Sequence, residues 1–370
     1  MTRFITIVML FSFMQSFSVI AGTNAVKVPV IYCSDIFHPH DDPDDHFDLS
    51  SIYAITEIDI KAIILDQGLK QEQKPGKIPV EQLNNLTGRN IPWAIGLSQK
   101  LENPSDKRLC EAEKYQQAVN LIIKVLEQSQ KPLTIISVGS LRDVAAVYNR
   151  KPDLFRQKVS RIFSFIGDAQ GAFQEYNVGL DPHAYKCVLN SGLPLYWVPC
   201  FDGGLWHNDN GKASYWKASH ATLLKDASKP VLNYFIYALL HKNEINPTAF
   251  LHKKTLEDEK QKVLAGQRNL WCTAVFPYIA KRKYVIRDGN CLAVPADKVR
   301  NNDKVTELFT FSPVKVYVDD MGKESYKNNP DSHTVNRFQI INMETYAQSM
   351  TSVTNELIRE LSFNKMKINK

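Results

Sequence analysis

From residue 28 to about residue 200 the chain alternates short apolar runs with stretches whose apolar residues recur at helical spacing, and this rhythm constrains the fold more than any other feature. An apolar run bounded by turn residues fits a strand buried on both faces, and strands alternating with helices assemble as a mainly parallel sheet with helices packed on it. The expected strands are the runs at 28–33, 60–65, 92–95, 133–138, 162–166 and 195–198. The expected helices cover 43–56, 111–128, 140–148 and 181–190, the second with apolar residues at 118, 119, 121, 122, 125 and 126. Beyond residue 200 the pattern predicts long helices over 214–241 and 256–281. Short strands follow over 284–318 around turns such as Asp288-Gly289-Asn290, then a final helix over 343–361 and a basic tail. The expected fold class is α/β: an open, mainly parallel sheet flanked by helices, with a helical and small β-rich C-terminal elaboration. With no internal repeat or linker, residues 26–370 read as a single domain, the alternative being a separate β-rich unit over 284–340.

A chain of 370 residues with 44% apolar side chains can bury a large core. The net charge of +6 comes from 45 basic and 39 acidic residues scattered along the length, without the dense basic tract of a nucleic-acid footprint, so no nucleic-acid partner is expected. Met1, Thr2 and Arg3, the apolar stretch 4–13 and the small residues up to Ala25 have the three-part layout of a secretory signal peptide over residues 1–25, cleaved after Ala21 or Ala25. The mature chain is therefore expected to be exported, periplasmic or extracellular. A membrane anchor is the weaker reading because the apolar core is short for a bilayer, and no later segment is apolar enough to span one after processing. The cysteines (Cys33, Cys110, Cys187, Cys200, Cys272, Cys291) have no zinc-type spacing and read mostly as buried small residues, with room for one bridge.

Directly after the first expected strand, residues 35–49 read DIFHPHDDPDDHFDL, with aspartates at 35, 41, 42, 44, 45 and 48 and histidines at 38, 40 and 46. Asp42 before Pro43 suits a helix start, so capping and the helix dipole account for some of these carboxylates. They do not account for all: carboxylates a few ångströms apart repel, and each raises the others' pKa until protons or a cation are taken up. Asp35 ends a strand and Asp44 and Asp45 open the next helix, the place where open parallel sheets bind ligands. Oxygen ligands without sulfur favour calcium or magnesium over zinc. One of the three histidines is expected to have a functional role.

With these blocks in order, the chain resembles the inosine-uridine-preferring nucleoside hydrolase superfamily. Asp35 is similar to the family's first aspartate, and PDDHFDL places Asp44 and Asp45 as its Asp-Asp pair. TIISVGSLRDVAAVYNRKPDL resembles the strand-Gly-helix segment in which the residue before the glycine, here Val138, offers its carbonyl to calcium. RIFSFIGDA resembles the next strand and its turn, here Ile166, Gly167 and Asp168. QEYNVGLDPHAYKCVLNSGLP puts Glu175 and Asn177 where the family binds sugar hydroxyls.

The resemblance implies calcium-dependent hydrolysis of the N-glycosidic bond of a nucleoside or related riboside by a metal-activated water. Asp35 is implied as base and metal ligand, Asp44, Asp45 and Val138 as further ligands, and Glu175, Asn177, Asp168 and His207 as substrate contacts. His207 and the early histidines are candidates for the leaving-group acid, none placed by spacing, and Trp206, Trp216 and Trp271 are candidates to stack on a base. The partner implied is a small nucleoside or riboside, and a homo-oligomer is compatible with the family. The family's late His-Asp-Pro segment is not matched: NLWCTAVFPY puts Leu270 and Trp271 there. Asp41, Asp42, Asp48 and Asp168 are the carboxylates available to replace the lost one. The alternative reading is an exported, inactive homologue that binds a nucleoside or sugar. A phosphoesterase ranks last, with Arg142 as its one nearby basic residue.

Overall fold

Six parallel strands form the centre of the molecule: β1 (Val28–Ser34), β2 (Ile58–Leu65), β3 (Trp93–Ile95), β4 (Leu133–Ser137), β5 (Val159–Phe165) and β6 (Leu195–Val198). They lie in the order β6-β5-β4-β1-β2-β3. Alternate residues point to opposite faces of a strand, and here both faces are apolar. Val30, Tyr32, Ile63, Leu65, Ile136 and Phe163 enter one core, while Ile31, Cys33, Ala62, Ile64, Ile135 and Ile162 enter the other. The chain runs from β1 outward to β2 and β3, then returns to β4 on the other side of β1. That reversal opens a crevice between the carboxyl ends of β1 and β4.

This computed structural model describes residues 27–328 and 335–368, so the stretch read as a signal peptide lies outside the described residues. After β6 come the antiparallel pair β7 (Trp216–Ser219) and β8 (Gln267–Leu270), then a three-stranded sheet of β9 (Lys283–Arg287), β10 (Asn290–Val294) and β11 (Lys304–Thr306). β12 (Phe309–Val318), β13 (Glu324–Asn328) and β14 (Val335–Ile340) extend the main sheet to nine strands, with β14 parallel to β6 and β12 antiparallel to both β13 and β14. The C-terminal helix Met343–Ile368 buries Tyr346, Met350, Val353, Leu357 and Leu361, one stripe at spacings of four and three.

The two long helices expected after residue 200 are not formed. Residues 214–241 divide into β7, a helical turn His220–Leu223 and the helix Lys229–Leu239, which starts with Pro230 in its first turn. Trp216 and Ala218 are buried while Lys217 and Ser219 are exposed, a period of two that selects a strand. Residues 256–281 divide into the helix Glu257–Leu264, β8 and the turn Phe276–Ile279. The break falls at Gly266, where a Cβ would lie 2.5 Å from His220 Nδ1. The expected helix 111–128 begins later, at Gln117, after a 3-10 turn at Glu113–Tyr115. All six cysteines are unbridged, five of them buried. Among the described residues no helix is long and apolar enough to cross a membrane.

Candidate active site

Asp35 leaves the end of β1 beside Gly139, the second residue after β4. A Cβ on Gly139 would stand 2.8 Å from Asp35 Oδ1, so the absent side chain there is what gives the carboxylate its place. From the other side Gln67 Nε2 approaches Asp35 Oδ2 at 3.5 Å, the limit of a hydrogen bond. The helix Asp44–Ala54 presents Asp44 and Asp45 in its first turn, and Ser34 Oγ donates to Asp45 Oδ1 at 3.0 Å. Pro43 occupies the cap position and no side chain caps this helix, so the capping role read for Asp42 is not what the fold uses it for. Asp42 instead pairs with Arg268 at 2.9 Å.

Across the crevice, Glu175 caps the short helix Tyr176–Leu180, its Oε1 accepting from Asn177 N at 3.0 Å and its Oε2 from Gly167 N at 2.9 Å. Asn177 Nδ2 donates to the Val138 carbonyl at 3.2 Å, tying the end of β4 to this loop. Asp35, Asp44, Asp45, Val138, Glu175 and Asn177 all line one cavity of about 710 Å³. The largely aromatic part of its lining is Phe173, Phe201, Leu205, Trp206 and Trp271, and Cys200 and Cys272 line it as well. Trp206 and Trp271 have ring centroids 6.1 Å apart, and Phe201 stands edge-on to Trp206 at 5.4 Å. Trp271 is fixed by Nε1 donating to Cys200 O at 2.9 Å. Trp206 is half-exposed, at φ 65° in a loop where Gly203 and Gly204 take φ 106° and 116°. Trp216 lies elsewhere, packed in the core against Tyr346.

The carboxylate wall is electrostatically unsatisfied. Burial, followed by the neighbouring Asp66, pushes Asp35 up to about 8. Burial and the charges of Asp42, Asp48 and Asp35 raise Asp44 well above the ordinary range, and burial with Asp35 and Asp44 does the same to Asp45. No Lys, Arg or His lines the cavity itself; Lys70 and Arg268, from outside the lining, draw Asp35 and Asp44 down without cancelling the rise. An all-oxygen donor set with excess negative charge fits a hard cation in its chemistry. Among the described residues, no group of three or more His, Cys, Asp or Glu side chains is gathered as a ready-made cage.

The remaining expected residues fall outside this arrangement. Asp168 does not line the cavity: it is buried, and its carboxylate accepts from the backbone amides of Gln170, Ala172, Gly203 and Gly204, shaping the loop that carries Trp206. His207 is exposed, also outside the lining, with Nδ1 3.2 Å from Asp209 Oδ1. Asp48 is buried against Thr273, which donates through N at 3.1 Å and Oγ1 at 2.8 Å, and Asp41 reaches the rim but is paired with Lys70 and Lys74. No replacement carboxylate therefore comes from Asp48 or Asp168, and Trp271 and Cys272 occupy the late position. Of the early histidines, His38 pairs with Lys242 O, His46 with Tyr234 and Phe37 O, and His40 with His241; none lines the cavity. Arg142 is spent on Asp181 and the carbonyls of Leu97, Ser98 and Leu180.

Sequence reasoning missed Glu324. This buried residue of β13 accepts from Asp168 N at 2.5 Å, one residue along from the amide that Glu175 holds. A Cβ on Gly167 would lie 2.6 Å from Glu324 Oε1, and one on Gly322 2.7 Å from Val178. The β12–β13 turn is thus keyed into the loop that bears Glu175 and Asn177. Its only sequence signal is an acidic residue in a strand near a glycine.

The chain is 29% identical over 191 residues to the pyrimidine-specific ribonucleoside hydrolase RihA of Escherichia coli, a match covering 46% of this chain and 59% of that protein. The chain thus spans less than two thirds of the length of the curated relatives it matches. In structure it is similar to a plant nucleoside hydrolase (TM-score 0.55, 14% identity, 90% of this chain and 99% of that one). It is also similar to a purine-preferring ribonucleoside hydrolase from Gardnerella vaginalis (TM-score 0.51, 14% identity, the same coverage). These two likenesses establish the fold. The model of the inosine-uridine preferring nucleoside hydrolase family matches residues 41–257, more than half of the sequence. The chain belongs to the inosine-uridine preferring nucleoside hydrolase family.

Proposed function

We propose that the protein hydrolyses the N-glycosidic bond of a nucleoside or related riboside with calcium as its metal. The observation that carries this is one cavity lined both by the carboxylates Asp35, Asp44, Asp45 and Glu175 with the amide of Asn177, and by the aromatic rings of Phe173, Phe201, Trp206 and Trp271. Glu175 and Asn177 are stationed to bind ribose hydroxyls, and the aromatic wall to take the base by stacking. Asp35, lining the cavity beside Gly139, is the group to accept the proton of the water that attacks the anomeric carbon. A bound divalent cation would be held by Asp35, Asp44, Asp45 and the Val138 carbonyl, where it would neutralise the carboxylates, orient sugar hydroxyls and acidify water. Export to the periplasm or outside the cell is part of the proposal, on the pattern of residues 1–25.

Turnover-free binding is the second reading, favoured by Trp271 and Cys272 standing where a carboxylate was expected. Calorimetry with calcium, paired with release of free base from a panel of ribosides, separates the two. Calcium binding with base release supports the hydrolase. Riboside binding with no release on any substrate makes it a binding protein, and neither binding nor release overturns both.

A further inference from the structure

Outside the cavity, one pair of side chains brings two metal-ligating atoms together. His40, on the loop between Asp35 and Asp44, and His241, just after the helix Lys229–Leu239, place their Nε2 atoms 2.8 Å apart. The two rings are inclined at 77° with centroids 4.2 Å apart. Rings meeting head to head would have centroids separated by the nitrogen distance plus a ring radius on each side, which is longer, so these two meet at an angle. The simplest occupant of the gap is a proton shared in an N–H···N bond. A metal ion is the other. Cis ligands of a square-planar ion with bonds of about 2.0 Å stand about 2.8 Å apart, whereas tetrahedral ligands at that length stand about 3.3 Å apart.

Both side chains are open to an ion, His241 being exposed and His40 half-buried. Burial, then His241 and Arg268, push His40 down to about 4, so near neutral pH it is an unprotonated base, the form that binds metal. Arg268 is itself paired with Asp42 at 2.9 Å, which offsets its repulsion of a cation. The neighbouring histidines are committed: His38 Nε2 to the Lys242 carbonyl, and the nitrogens of His46 to Tyr234 and the Phe37 carbonyl. The pair therefore supplies two ligands and water the rest, in keeping with the lack of any cage of three among the described residues.

We propose that His40 and His241 form a second metal site, separate from the cavity, for a square-planar divalent ion of the copper or nickel kind. Imidazole suits both ions, and the order of stability puts copper first. The two ligands are 201 residues apart in the chain and meet only when it is folded, so the ion stabilises the fold. It also tethers the loop that brings Asp41 and Asp42 to the cavity to the end of the helix Lys229–Leu239.

The test titrates copper(II) chloride into the calcium-loaded full chain and follows calorimetry, melting and the nitrogen splitting of the copper EPR spectrum. One copper ion with two imidazole nitrogens, bound at least about tenfold more tightly than zinc and raising the melting temperature, is the expected result. His40→Asn and His241→Asn should each weaken copper by about tenfold or more, asparagine being a residue that tolerates the φ of 49° at position 241. The same titration of Asp44→Asn with Asp45→Asn should leave the copper site as it is. Copper binding that survives in the double histidine variant, or is lost with the two aspartates, overturns the inference. So does a wild-type spectrum with fewer than two nitrogens, a result that holds even if a histidine variant fails to fold.

Discussion

The carboxylate wall and the aromatic wall of the cavity are built by different kinds of backbone. Asp35, Val138 and the Asp44–Asp45 turn are set by ends of parallel strands and the helix that follows, so their positions follow from the topology of the sheet. Trp206 and Trp271 come from a left-handed loop and from the segment after an antiparallel edge strand, and are placed by hydrogen bonds that Asp168 and the Cys200 carbonyl accept. Chemistry that must not move is mounted on the sheet, and recognition that can vary is mounted on loops.

The largest effect should come from breaking the first wall. Asp44→Asn with Asp45→Asn should reduce riboside hydrolysis by about 10³-fold or more and abolish calcium binding by calorimetry. In chelator the same variant should melt higher than wild type, with a gain of about 1 kcal/mol or more, because each neutralised carboxyl relieves its neighbours. A variant that loses both activity and stability would mean that these aspartates support the fold.

The same repulsion makes stability pH-dependent in a direction that can be worked out. In the unfolded chain Asp35 loses its proton near the ordinary value of about 4. In the fold it holds the proton until about 8. Between the two the folded state carries the extra proton, so the stability of the chelated protein should fall as pH rises through this window and level off above it. Calcium should reverse the fall by displacing the proton. Calorimetry in buffers of different ionisation enthalpy should then show protons released on binding near neutral pH, and zero release would mean that Asp35 is already ionised.

The sequence was legible where these carboxylates lie for the same reason that they act together. Strand and helix periods through residue 200 located β1, β4 and the helix at Asp44, and the charge density at 35–49 had no purely structural account. The rest was not legible because it depends on tertiary neighbours. Trp216 and Trp271 look alike in the sequence, yet β7 turns one into the core while the segment after β8 brings the other to the cavity. Asp168 looks like a site residue because it follows a strand and a glycine, and only the amides of Gly203 and Gly204 show what it holds. The helix expected over 214–241 has enough apolar residues, but its start alternates with period two and Pro230 begins a new element.

Glu324 joins the two kinds of backbone, and changing it should have a moderate effect. Burial pushes it up to about 8, so near neutral pH it is largely a neutral carboxyl. Glu324→Gln keeps an acceptor for Asp168 N and should stay within about 0.5 kcal/mol of wild type in urea unfolding, whereas Glu324→Leu strands that buried amide at a cost of about 1–3 kcal/mol. Because the same turn carries the amide that anchors Glu175, the Leu variant should also raise KM more than it lowers kcat. Equal behaviour of the two variants would leave Glu324 as packing alone.

The smallest effect should be the most discriminating. His207 follows Trp206 in the sequence and is the histidine nearest to it along the chain, so a leaving-group acid is naturally sought there. In the structure its ring is exposed beside Asp209, while its backbone N donates to Gly204 O and its carbonyl accepts from Asp202 N. Replacing the side chain removes none of the backbone bonds that hold the loop. His207→Ala should therefore change stability by less than about 0.5 kcal/mol. It should also leave kcat on ribosides within about twofold, because a general acid must reach the departing atom to contribute. A hundredfold fall would show instead that the loop turns inward when substrate binds. The aromatic wall would then carry its own acid, and the division between a chemical wall and a recognition wall would no longer hold.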